Sequence, residues 1–84
     1  MKDNKINVEL IVPSIGEKYS IFIPVNKTVG EVIVILNNIV NDLDSSFPIR
    51  NNLSLLDVID NKIYDITSIV KDSGIKNGTI LALI

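Results

Sequence analysis

The feature that most constrains this chain is "TILALI", residues 79–84, in which every position after Thr79 is apolar. A strand of that kind has no face to give to water, so it belongs in the interior of a sheet with both faces covered. Its neighbours must come from the rest of an 84-residue chain. A chain of this length holds one core, and so one domain spanning residues 1–84.

The neighbours are legible from period. In residues 6–12, Ile6, Val8, Leu10 and Val12 share one face of a strand, and Asn7, Glu9 and Ile11 share the other. "PSIGE" supplies a turn. In "KYSIFIPV", Tyr19, Ile21, Ile23 and Val25 alternate with Ser20, Phe22 and Pro24. Two such runs about a Pro/Gly loop read as a hairpin. Pro24 cannot donate to a ladder, which puts the second strand at a sheet edge.

The period then changes. Thr28 and Glu31 stand in capping-box spacing. Val29, Val32, Ile33, Leu36, Ile39, Val40 and Leu43 follow at intervals of three and four, predicting one amphipathic helix. "DSSFPIRNN" reads as a loop, "LSLLDVID" as a third strand, "IYD" as a very short fourth and "TSIVKDSG" as a single helical or 3₁₀ turn ended by Gly74. "KNG" is a tight turn into the last strand. The order is β-β-α-β-β-(short helix)-β. Placing the last strand beside and parallel to the first gives an α+β mixed sheet of four to five strands packed on one helix.

This order resembles the ubiquitin-like β-grasp from about residue 6 to residue 84. Within that group, "VELIVPSIGEKYSIFIPVNKTVGEVI" and "SGIKNGTIL" are similar to the small YukD/EsaB proteins of type VII secretion systems and to the N-terminal domain of EccD. The family reads roughly Gly-Ile-x-Asn-Gly-Asp-x-Leu at the second stretch; here Thr79 stands where Asp is usual. The resemblance implies a non-catalytic adaptor that binds a secretion-system membrane component or its ATPase. Asp57 falls about where ubiquitin has its central apolar contact residue, so ubiquitin's receptors do not carry over. Two alternatives from other classes remain. One is a generic module resembling Ras-binding domains, working by edge-strand pairing, for which Lys18 and Lys27 are the edge cations. The other is a sulfur carrier, which needs a mobile Gly-Gly tail; a chain ending on Ile84 is expected neither to conjugate nor to carry sulfur.

Composition narrows the chemistry. The chain has no Cys and no His. That removes thiolate and imidazole ligands and the commonest general base, and no cofactor or metal is expected. The net charge is −2 with scattered Lys and Arg, so no nucleic-acid partner is expected. "MKDNKINVEL" has neither an apolar h-region nor a cleavage site, so it is not expected to act as a signal peptide, and the apolar run "VIVIL" is far too short to span a membrane, so no direct membrane insertion is expected. The expected location is the cytoplasm, with room for peripheral attachment to a membrane complex. The acidic pairs Asp42/Asp44 and Asp57/Asp60 read as polar helix-end and turn residues. Ser45, Ser46 and Ser68 lack a base nearby in sequence, and Lys71 and Lys76 read as surface cations. No catalytic residue is assigned.

What remains is the sheet face away from the helix. With Val8, Leu10, Tyr19, Ile21, Leu56, Val58, Leu81 and Leu83 facing the helix, the outer face carries Ile11, Phe22, Leu55, Ile59, Ile80, Ala82 and Ile84, interrupted by Asn7, Glu9 and Asp57. Such a set reads either as scattered surface hydrophobes or as a face for a protein partner or a weak homodimer.

Overall fold

The computed structural model describes residues 4–84; residues 1–3 of the opening segment lie outside them. The elements are β1 (Lys5–Val12), a 3₁₀ turn (Pro13–Ile15), β2 (Glu17–Pro24), α1 (Val29–Leu43), β3 (Leu55–Asp57), β4 (Lys62–Ile63), a second 3₁₀ turn (Val70–Asp72) and β5 (Ile80–Leu83). The sheet has five strands in the order β2-β1-β5-β3-β4. β1 pairs antiparallel with β2 and parallel with β5, and β3 pairs antiparallel with both β5 and β4. The all-apolar strand is therefore at the centre and the Pro24-bearing strand at an edge, each as its composition predicts.

The hairpin closes through Gly16, whose φ of 65° is the left-handed conformation that a side chain disfavours. Helix α1 starts on the predicted box: the Glu31 backbone N–H donates to Thr28 Oγ1 at 3.1 Å, and the Thr28 N–H donates to the Glu31 carboxylate at 2.9 Å. The two remaining first-turn donors are satisfied from outside. The Val29 N–H donates to the Ser68 carbonyl and the Gly30 N–H to the Ile66 carbonyl. The 66–70 segment can lie this close because residue 30 is glycine; a Cβ there would come within 3.1 Å of the Ile66 oxygen.

The core lies between α1 and one face of the sheet. Val8, Leu10, Ile21, Ile23, Leu55, Leu81 and Leu83 meet Val29, Val32, Ile33, Leu36 and Val40 there. Two positions depart from the periodic reading. Leu43, expected on the apolar helix face, is exposed, and the end of the core is closed instead by Phe47, which is buried in the following loop. That loop is held by two helix amides. Asn37 Nδ2 donates to the Pro48 carbonyl while its Oδ1 accepts from the Arg50 N–H, and Asn41 Nδ2 donates to the Phe47 carbonyl. Asn37 is buried in the core, the one polar side chain so placed among the described residues, and both ends of its amide are satisfied.

The "KNG" turn also differs from expectation in detail. Gly78 takes the positive φ, at 87°, while Asn77 uses its side-chain oxygen to accept from the Asn7 N–H at 2.8 Å. The turn between β3 and β4 contains Asn61, with φ 55°.

Candidate partner-binding face

The face of the sheet opposite α1 is built by cross-strand register. Ile11 on β1 stands beside Ala82 on β5, Ala82 beside Leu56 on β3, and Leu56 beside Ile63 on β4. These side chains form one apolar row across four adjacent strands. The next row along the strands runs from Ser20 through Glu9 to Ile80, and the one beyond pairs Phe22 with Asn7. Ile84 continues the outward parity of Ile80 and Ala82, and its backbone exchanges two hydrogen bonds with Ser54.

Five expected members, Ile11, Phe22, Ile80, Ala82 and Ile84, fall on this face. Phe22 is 62% exposed and Ile84 47%, whereas Ala82 is buried beneath its neighbours at 4%. Two expected members do not. Leu55 is fully buried, because it pairs with Leu83 and shares its inward side. The outward residue of β3 is Leu56. The sequence reading was one residue out of register here, and a one-residue slip exchanges the faces of a strand. Ile59 is not on a strand at all; β3 ends at Asp57 and Ile59 sits exposed in the following turn, where it shares a surface depression with Ile80. Val58, expected inward, is exposed as well. Ile63 belongs to the face and was missed, since a two-residue strand carries no periodicity.

Asp57 does not interrupt the face. It pairs with the inward-pointing Leu81, and its carboxylate accepts from the Asp60 N–H at 2.9 Å and the Tyr64 hydroxyl at 2.9 Å. Those bonds hold the Asp57 carboxyl below its ordinary range, the Asp60 amide contributing most. Burial, followed by the bond to Asp57, pushes the Tyr64 phenol well above the usual tyrosine value. With Leu56 rather than Asp57 outward at this level of β3, the ground for excluding ubiquitin-type receptors lapses.

Several of the other polar candidates are tied into local structure. Asp44 accepts from the Ser46 hydroxyl at 2.6 Å and from its N–H at 3.0 Å, and the Ser46 hydroxyl is the main cause of its lowered pKa. Asp57 and Asp60 are joined carboxylate to backbone amide within a turn. Ser68 contributes its carbonyl to the start of α1, and the Lys71 N–H donates to the Val25 carbonyl. Among the described residues, no three acidic side chains are grouped as a metal would require, and no helix is long and apolar enough to cross a membrane.

No protein-family model and no curated protein matches the sequence. Solved structures do match its fold. A chain of the ESX-5 inner membrane complex aligns with 98% of this protein at TM-score 0.81 and 16% identity. This protein spans about a fifth of that chain, 21%. The N-terminal ubiquitin-like domain of the 4931431F19Rik protein aligns with 99% of it at TM-score 0.68 and 17% identity, over 76% of its own length. The ubiquitin-like domain of Arabidopsis thaliana protein At2g32350 aligns with 98% at TM-score 0.65 and 17% identity, over 78% of its own length. The order of elements, the register of the sheet and these alignments together make the fold ubiquitin-like, one helix held against a five-stranded mixed sheet.

Proposed function

We propose that this protein is a non-catalytic ubiquitin-like adaptor, an accessory or regulatory component of a bacterial type VII secretion system. It acts on the cytoplasmic side, peripheral to the membrane complex, by binding a membrane component or the ATPase. The observation that carries this reading is the alignment of 98% of the chain, at TM-score 0.81, with part of a chain from the ESX-5 inner membrane complex. The resemblance of "SGIKNGTIL" to the YukD/EsaB pattern points the same way. A partly exposed apolar row on the sheet supplies a surface for protein contact.

Edge-strand pairing of the Ras-binding type is the weaker reading. The open β2 edge ends in Pro24, which has no N–H to offer an incoming strand.

Co-purification tests the adaptor reading. Tagged protein recovered from its native host in mild detergent is expected to bring down a type VII membrane component or ATPase. Deleting its gene is expected to reduce export of that system's substrates. Normal export together with no such association would refute the proposal.

A further inference from the structure

We propose that the outer sheet face takes a different protein, not a second copy of this chain, whose contact surface is apolar around one exposed cation, and that Glu9 selects it. This rests on the adaptor reading above and adds the chemistry of the partner.

Glu9 projects from β1 into the apolar face. Its cross-strand neighbours are Ser20 and Ile80; Ile11 occupies an adjoining outward position on β1, and Phe22 and Lys18 the two diagonal ones on β2. Among the described residues, nothing hydrogen-bonds or ion-pairs with its carboxylate. Any surface that seats on Ile11, Ile80 and Phe22 therefore strips water from a carboxylate that no hydrogen bond or ion pair among the described residues holds. Burying an unpaired carboxylate is strongly unfavourable, and a cation from the partner is what cancels it, most effectively a guanidinium held by two hydrogen bonds.

The same charge argues against self-association. A symmetric dimer presents the same patch from both sides. A two-fold axis along the central strand β5 exchanges β1 with β3, so each Glu9 would meet the other copy at the level of Val58, where the register supplies no cation, and both carboxylates would be buried unpaired. Lys18 could answer Glu9 of a second copy only if the axis moved toward β2, away from the outward Leu56 and Ile63 on the far side of the face. A complex selected by charge fits this arrangement.

The test is an NMR titration of the labelled protein with two synthetic amphipathic helical peptides. They share one Leu/Ile face and differ only in a central Arg or Glu. The Arg peptide is expected to shift the amides of Ile11, Ile80 and Ala82 saturably, with at least about tenfold higher affinity than the Glu peptide. Glu9→Gln should level the two, and Glu9→Lys should reverse the preference. Equal binding of the peptides to the unmutated protein, no binding of either, or sedimentation of that protein as a dimer through this face would overturn the inference. In the native host, co-purification undiminished by Glu9→Lys would sink the inference and leave the adaptor reading standing; absence of any secretion partner would sink the adaptor reading, with the peptide preference unaffected.

Discussion

Leu55 and Leu56 are adjacent in sequence and on opposite faces of the sheet, so truncating each to alanine reads the register of β3 directly. Leu55 is fully buried in the core beside Leu83. Leu55→Ala removes three carbons, worth about 2.4 kcal/mol at ~0.8 kcal/mol per buried methylene. The space left among Leu83 and its neighbours adds a cavity cost, giving a total of about 3–4 kcal/mol. For a domain of this size that corresponds to a fall in Tm of roughly 12–30 °C. Leu56 is only half-buried, on the solvent side, where truncation leaves no enclosed void. Leu56→Ala is expected to cost less than about 1 kcal/mol. Urea unfolding followed by circular dichroism measures both, with the m-value showing whether the denatured state has changed. Equal costs, or a larger cost for Leu56, would mean that β3 sits one residue from where it is described, and the composition of the outer face would fall with it.

Thr28→Ala should cost about 1 kcal/mol through the lost cap, well below the ~2–5 kcal/mol of Leu36→Ala in the core; the reverse ranking in the same urea assay would misplace the helix. Asn37→Ala strands the Pro48 carbonyl and the Arg50 N–H. It should cost about 1–3 kcal/mol and abolish hydrogen-exchange protection at Arg50, an effect that a purely steric role would not produce. Stability should also fall at both ends of the pH range. Glu31, Asp44, Asp57 and Asp65 are held below their ordinary values by hydrogen bonds. Their contribution is complete above the unfolded carboxyl range, roughly pH 4–4.5, and is lost as pH drops through the lower folded values. Tyr64 is shifted the other way, so its contribution is present below the unfolded value of about 10 and is lost as pH rises beyond it. Tyr64→Phe should flatten the alkaline limb of a Tm-versus-pH curve, and an unchanged limb would refute the assignment.

Where the pattern of a segment admits one arrangement, its sequence showed its structure plainly. The alternation from Ile6 to Val12, the three-and-four spacing after Thr28, and the unbroken apolar character of β5 each have one physical solution. The third strand has two. "LSLLDVID" carries leucines at both Leu55 and Leu56, so period alone cannot choose a face. Asp57 looks like a solvent marker until Tyr64 and the Asp60 amide are seen to satisfy it. Phe47 lies in a polar loop with no pattern around it, and only the tertiary fold shows that it replaces Leu43 at the end of the core. On the outer face the errors follow from the same cause. Ile11, Phe22, Ile80, Ala82 and Ile84 lie on the expected face, whereas Leu55 and Leu56 of β3 are exchanged, Ile59 falls in a turn and Ile63 of the two-residue β4 carries no pattern.

The central position of β5 also has a consequence for synthesis. β5 joins the β2-β1 hairpin to the β3-β4 pair, yet it is the last of these elements to leave the ribosome. Until it arrives, β1 has a long unpaired edge, and the apolar side of α1 has only half a sheet to rest on. The two halves of the sheet can then meet only through a strand not yet made, which is the kind of non-local closure that slows folding and leaves edges open to wrong partners. A nascent chain halted before Thr79 should therefore remain sensitive to protease and bind chaperones, and the passage to a protected domain should come abruptly, with the emergence of its final strand.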